Sequence, residues 1–209
     1  MKSKNVLWVG ILALATMFTG CSKDPLANLT DEESRIYITD HDSTVDFSAF
    51  NTFSISDSVA VINNGQSSKE ATASDAAFIN AVKSQMQAAG FTLVNRDASP
   101  DLAINVNRIY NTSTGVIAYD NYYDYYGGYW DPYYYGYSGY GYYSPYSYAT
   151  YSIREGALSV DILDLKNAAS ANRINVIWTG LIRGTGIFNA SAASQQIEML
   201  FNQSPYLKS

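Results

Sequence analysis

The 209-residue chain has one cysteine and one histidine, and its 13 lysines and arginines are outnumbered by 19 aspartates and glutamates. A lone cysteine excludes an internal disulfide. With one histidine beside it, most zinc cages cannot be built and Ser-His or Cys-His catalysis is hard to assemble. The net charge of −6 leaves no basic surface to neutralise phosphates, so nucleic acid is excluded as a partner and no cofactor is implied. Charged residues of either sign make up only 15% of the chain, against about 25% in an ordinary globular protein. What is abundant is tyrosine: there are 19, and 16 of them lie between Tyr119 and Tyr151. Setting tyrosine aside and counting glycine returns the apolar share to the globular range, enough for one core.

Lys2 and Lys4 precede an apolar run from Val6 to Phe18. That run is shorter than the roughly 20 residues a membrane span needs, and it fits the apolar core of an export signal. Phe18-Thr19-Gly20-Cys21 resembles the lipobox of bacterial lipoproteins. The resemblance implies a signal peptide over residues 1–20 and a mature chain beginning at Cys21, diacylated on sulfur and acylated (palmitate-type) on its amine. Each buried acyl CH₂ contributes about 0.8 kcal/mol, so several chains on one residue make a firm membrane anchor. Residues 21–33 form a polar tether with Asp31-Glu32-Glu33 at its end. Ser22 after the cysteine resembles the outer-membrane sorting pattern. The expected location is the outer membrane, with the periplasmic face favoured over the cell surface.

Residues 34–204 are expected to form a single domain, with a Tyr/Gly-rich insertion at about 116–151. Arg35–Thr39 and Asn51–Ile55 alternate and predict two strands, joined by a polar turn from His41 to Ala49. Val59–Ala73 reads as a loop around Asn64-Gly65. Ser74 is the expected N-cap of a helix whose stripe is Phe78, Val82, Met86 and Ala89 and which Gly90 ends. Phe91–Val94 starts a strand. Beyond it Leu102, Ile104 and Val106 alternate with Ala103, Asn105 and Asn107, and Leu158, Val160 and Ile162 with Ser159 and Asp161. Alternation of this kind predicts strands with one buried and one solvated face. A loop over Asn167–Asn172, a strand over Val176–Arg183 and a helix over Ala190–Phe201 complete the chain. The fold class is therefore α+β: two layers, a largely antiparallel sheet with two helices on one face.

Several patterns occur in order: the lipobox, Val45-Asp46-Phe47-Ser48-Ala49-Phe50-Asn51-Thr52-Phe53, Pro100-Asp101-Leu102, the Tyr/Gly-rich stretch, Arg154-Glu155-Gly156-Ala157-Leu158-Ser159-Val160-Asp161, and Val176-Ile177-Trp178-Thr179-Gly180. Together they resemble the bacterial envelope lipoproteins carrying the domain of unknown function numbered 4136. The resemblance covers roughly residues 35–203. It implies an envelope lipoprotein with a small α+β domain, and it supplies no catalytic residue.

The chemical candidates are few. Asp40-His41-Asp42 reads as a structural or solvated turn, because alternating side chains cannot converge on one ion. Asp161 with Asp164 or Glu155 is the only carboxylate pairing that suggests a hydrolase, on a face expected to be solvated. Gly136-Tyr137-Ser138-Gly139 lacks the spacing of a nucleophile elbow. Asp57-Ser58-Val59 resembles a short acceptor pattern for O-glycosylation. The tyrosine segment is the strongest candidate surface, with Tyr122, Tyr125, Tyr129, Trp130, Tyr133, Tyr137, Tyr140 and Tyr143 as contact residues. Its charges are Asp120, Asp124 and Asp131, so it offers stacking faces without a cationic track. The expectation is a non-enzymatic lipid-anchored protein that meets an envelope protein or a glycan through rigid, amphipathic tyrosines lying outside the core.

Overall fold

The sheet is built around a strand buried on both sides. In the computed structural model, which describes residues 29–63, 66–110, 136–137, 139–143 and 156–209, nine strands form one sheet. They are β1 (Ile36–His41), β2 (Thr52–Ile55), β3 (Val59–Asn63), β4 (Gln66–Glu70), β5 (Thr92–Leu93), β6 (Leu102–Tyr110), β7 (Gly141–Tyr143), β8 (Ala157–Asp164) and β9 (Arg173–Arg183). The helices are α1 (Ala73–Ala88), α2 (Ala168–Ala171) and α3 (Ala193–Asn202). The main path runs β1-β9-β8-β6-β2-β5, and its long pairings β1/β9, β9/β8 and β8/β6 are antiparallel. This is the expected α+β class, with α2 as an additional single turn where a loop was expected.

One face carries Leu102, Ile104, Val106, Leu158, Val160, Ile162, Trp178 and Ile182 against Phe78, Val82 and Met86 of α1 and Ile197 and Leu200 of α3. The stripe predicted from spacing for α1 is the one buried, apart from Ala89, which is half-buried. Trp178 lies at the centre and donates its indole N–H to Ser204 Oγ at 2.8 Å. Gly180, two residues on, has no room for a side chain: a Cβ there would sit 2.6 Å from the Trp178 ring and 2.9 Å from Leu200.

The motifs that carry the family resemblance hold this core together. Asp46 caps a turn of 3-10 helix over Phe47–Ala49, and Phe47, Phe50 and Phe53 all enter the core. The Asp101 carboxylate accepts from the backbone N–H groups of Asn51 (2.7 Å) and Thr52 (3.2 Å), while its own N–H donates to Thr52 Oγ1. That clamp joins the start of β2 to the start of β6.

Three local expectations are corrected. Helix α1 is capped by Thr72 and not Ser74, because Asp75 three residues later completes a capping box with Thr72; Ser74 instead donates to the Phe188 carbonyl. Gly90, at φ +102°, ends the helix as expected. The stretch 59–73 is no loop: Ala60–Asn63 pairs in parallel with β6, and β4 folds back on β3. Asn64-Gly65, the dipeptide of two-residue hairpins, separates those strands in sequence. Between the pairs Ile55/Ile104 and Ala60/Asn107 one chain advances five residues and β6 three, so Ser56–Ser58 bulge from the sheet. Finally, His41 belongs to the end of β1 and stacks on Tyr206 with ring centroids 3.9 Å apart, so it is held in a strand and not in a turn.

Candidate functional site

The sheet's second face is where the sequence places its polar residues, and it is not solvated. Asn105, Asn107, Ser159, Asp161 and Thr179 are all buried, and Asp161 has no exposed surface. Strand register sets Asn105, Asp161 and Thr179 in one row across β6, β8 and β9, with Asn107 and Ser159 in the next. Thr179 Oγ1 donates to Asp161 Oδ1 at 2.8 Å, and Asn107 Nδ2 donates to Asp161 Oδ2 at 2.9 Å and to Ser159 Oγ at 2.8 Å. The expected solvation of Asp161 is therefore overturned: alternation gives the face, whereas burial depends on what lies over it. Around this polar row a second core cluster contains Ala60, Ile62, Ala103, Ile109, Leu163, Ile174, Val176 and Leu181.

Described residues of the tyrosine segment pack on that cluster. Tyr137 and Tyr140 are half-buried against it, which corrects the expectation that the tyrosines lie outside the core. Their rings meet edge to face at 5.6 Å, and Tyr137 donates its hydroxyl to the Leu165 carbonyl at 2.9 Å. Burial first, then the negative charge of Asp164 and the neighbouring Tyr140, raise the Tyr137 pKa above 10.0, so the phenol is held neutral.

Gly141–Tyr143 then adds to β9 as a short parallel strand opposite Arg173–Asn175. Tyr143 is 44% exposed. Its ring is covered on one side by the Arg173 guanidinium, 3.8 Å from the centroid, which is itself steered by a 2.9 Å hydrogen bond from Nε to Asn175 Oδ1. The sheet thus presents an aromatic ring with a fixed cation beside it.

The other candidates do not assemble. The Asp164 carboxylate accepts from the backbone and side-chain nitrogens of Asn167 and shapes the β8–α2 turn. Asp40 Oδ1 accepts from the His41 N–H, and Asp42 Oδ1 accepts from both the backbone and hydroxyl of Thr44. Among the described residues no group of three His, Cys, Asp or Glu converges to hold a metal ion. Ser138 lies outside the described residues; beside it the Tyr140 N–H donates to the Tyr137 carbonyl. The Ser58 hydroxyl lies 3.2 Å from that of Ser56. Cys21, Tyr122, Tyr125, Tyr129, Trp130, Tyr133 and Glu155 lie outside the described residues. Among the described residues no helix is long and apolar enough to cross a membrane.

Sequence reasoning missed an ionic knot at the end of β6. Arg108, mostly buried, pairs with Glu70 of β4 and sets its Nε 3.0 Å from Asp75 Oδ1, without the alignment of a hydrogen bond. Burial alone lowers the guanidinium pKa, but Tyr110, Asp75 and Glu70 outweigh it, so the pKa is raised and the group stays charged. The signal was an arginine on the apolar face of an alternating strand. The knot ties β4, β6 and α1 together and has a structural role.

The sheet with its helix-covered face defines an α+β domain. The chain belongs to the family described as Domain of unknown function (DUF4136), whose match spans residues 38–206. It is similar to the crystal structure of a DUF4136 family protein from Bacteroides thetaiotaomicron VPI-5482, with 26% sequence identity and a TM-score of 0.67 over 84% of this chain and 98% of that one. No curated protein matches the chain.

Proposed function

We propose that the protein is a lipid-anchored envelope lipoprotein, held in the outer membrane by acylated Cys21, and that it acts without catalysis as a structural or interaction protein. The observation that carries the reading is the exposed Tyr143 ring, presented on the sheet edge with Arg173 stacked against it. An aromatic group with few rotatable bonds on a rigid strand gives contact area at small entropic cost. Asp161, which would have to serve a hydrolase, is enclosed and already bonded to Thr179 and Asn107.

A glycan is a second kind of partner, favoured by the same ring, since an exposed tyrosine face suits the C–H face of a sugar. Anchoring is tested by fractionating cells that express the parent or Cys21→Ala and weighing the intact protein. The parent is expected in the membrane fraction with added acyl mass, and the variant in the soluble fraction. An unchanged location and mass would refute the anchor. Retention on cell-wall glycan that survives deletion of residues 121–148 would refute tyrosine-mediated glycan binding.

A further inference from the structure

The strand β2 is covered along part of its outer edge only. Thr92 and Val94 donate to the Asn51 and Phe53 carbonyls, so alternate residues of this segment point their peptide groups towards β5. Ile55 is the next in that series. Pairing of β2 with β5 ends at Phe53/Leu93, and after Val94 the chain turns away into 3-10 helix at Arg96–Ala98. The Ile55 N–H and C=O therefore face an open groove of about 910 Å³, bounded by the Ser56–Ser58 bulge, α1 and the Asn95–Ala98 turn. That volume is within the usual range for a small-ligand site.

The groove has a complementary pair of charges. Lys83 reaches it from α1 and Asp57 from the bulge. Arg96, also on the wall, is engaged with Asp97, whereas among the described residues neither the Lys83 nor the Asp57 side chain has an ion pair or hydrogen bond. Ile55 and Leu93 supply apolar surface, and Leu93 is notably exposed for its size. An open peptide edge flanked by one unpaired cation, one unpaired anion and apolar surface, beside the exposed Arg96–Asp97 pair, matches the main chain of an extended peptide with both ends free.

The geometry points to a binding site for a short zwitterionic peptide of about three small, apolar residues, added to β2 at Ile55. Its ammonium meets Asp57, its carboxylate meets Lys83, and its central peptide unit bonds to Ile55. This site is separate from the Tyr143 edge and does not rest on the reading of that edge.

The test is calorimetric titration of the full chain with Ala-Ala-Ala, its N-acetyl form and its C-terminal amide. Capping either end is expected to weaken binding to the parent by about five- to tenfold. In Asp57→Asn the N-acetyl penalty is expected to vanish while the amide penalty remains; in Lys83→Gln the reverse is expected. Both side chains reach solvent, so circular dichroism of the variants is expected to match the parent. No binding of Ala-Ala-Ala to the parent at about 10 mM, or capping penalties that are the same in all three proteins, would overturn the assignment.

Discussion

Replacing Asp161 with alanine probes the polar row on the second face most sharply. The carboxylate has no exposed surface, and it receives hydrogen bonds from Thr179 at 2.8 Å, from Asn107 at 2.9 Å and, longer, from Ser159 at 3.4 Å. Hydrogen bonds to a charged group contribute about 1.5–3 kcal/mol each, so losing the two short ones costs roughly 3–6 kcal/mol. Asn107 keeps Ser159 as a partner at 2.8 Å, which places the expected loss towards the lower end. Total stability of a domain is only about 5–15 kcal/mol, and at this size 1 kcal/mol moves Tm by about 2–4 °C. Asp161→Ala is therefore expected to lower Tm by roughly 6–15 °C. Asp161→Asn, which keeps one acceptor oxygen, is expected to lose about half as much. Urea unfolding followed by far-ultraviolet circular dichroism measures both. If Asp161→Ala lies within about 0.5 kcal/mol of the parent, the row does not have the buried, bonded character argued from it.

Three further perturbations test the rest of the packing. Gly180→Ala drives a methyl group into the Trp178 ring and Leu200, and is expected to cost about 1–3 kcal/mol; an unchanged urea midpoint would show that the helix layer can shift to admit it. Gln196 on α3 is fully buried, and neither its Nε2 nor its Oε1 reaches a protein partner. Gln196→Met is therefore expected to raise stability by about 1–3 kcal/mol, and a loss of that size would contradict the assignment of an unbonded amide. For Tyr137 the folded-state pKa is raised above 10.0, so its contribution is fully present below pH 10 and is lost as pH rises through the higher folded value. Above about pH 10 parent stability is expected to fall more steeply than that of Tyr137→Phe; equal slopes would refute the docked phenol.

The periodic parts of the fold were legible because period 2 and period 3.6 are direct consequences of backbone geometry. Leu102, Ile104 and Val106, and the stripe of Phe78, Val82 and Met86, are buried on the helix-facing side for that reason. Alternation could not tell that Asn107, Ser159 and Asp161 are buried as well, since it sorts side chains by face and says nothing about what lies over each face. The β3–β4 hairpin was hidden because Gln66–Glu70 is polar and its strand character comes from pairing with β3. Of the tyrosine candidates, composition separated neither Tyr137, half-buried with its hydroxyl bonded, from Tyr143, exposed beside Arg173. Their difference arises from where β7 meets β9, a non-local pairing.

The proposed contact role of the tyrosine segment is tested most directly by photocrosslinking in intact cells. A photoreactive phenylalanine analogue is placed at position 143 and, as a control, at the exposed Ser84 of α1. A discrete adduct of higher mass is expected from position 143 and not from position 84. No adduct from position 143, or the same adducts from both positions, would contradict the contact role.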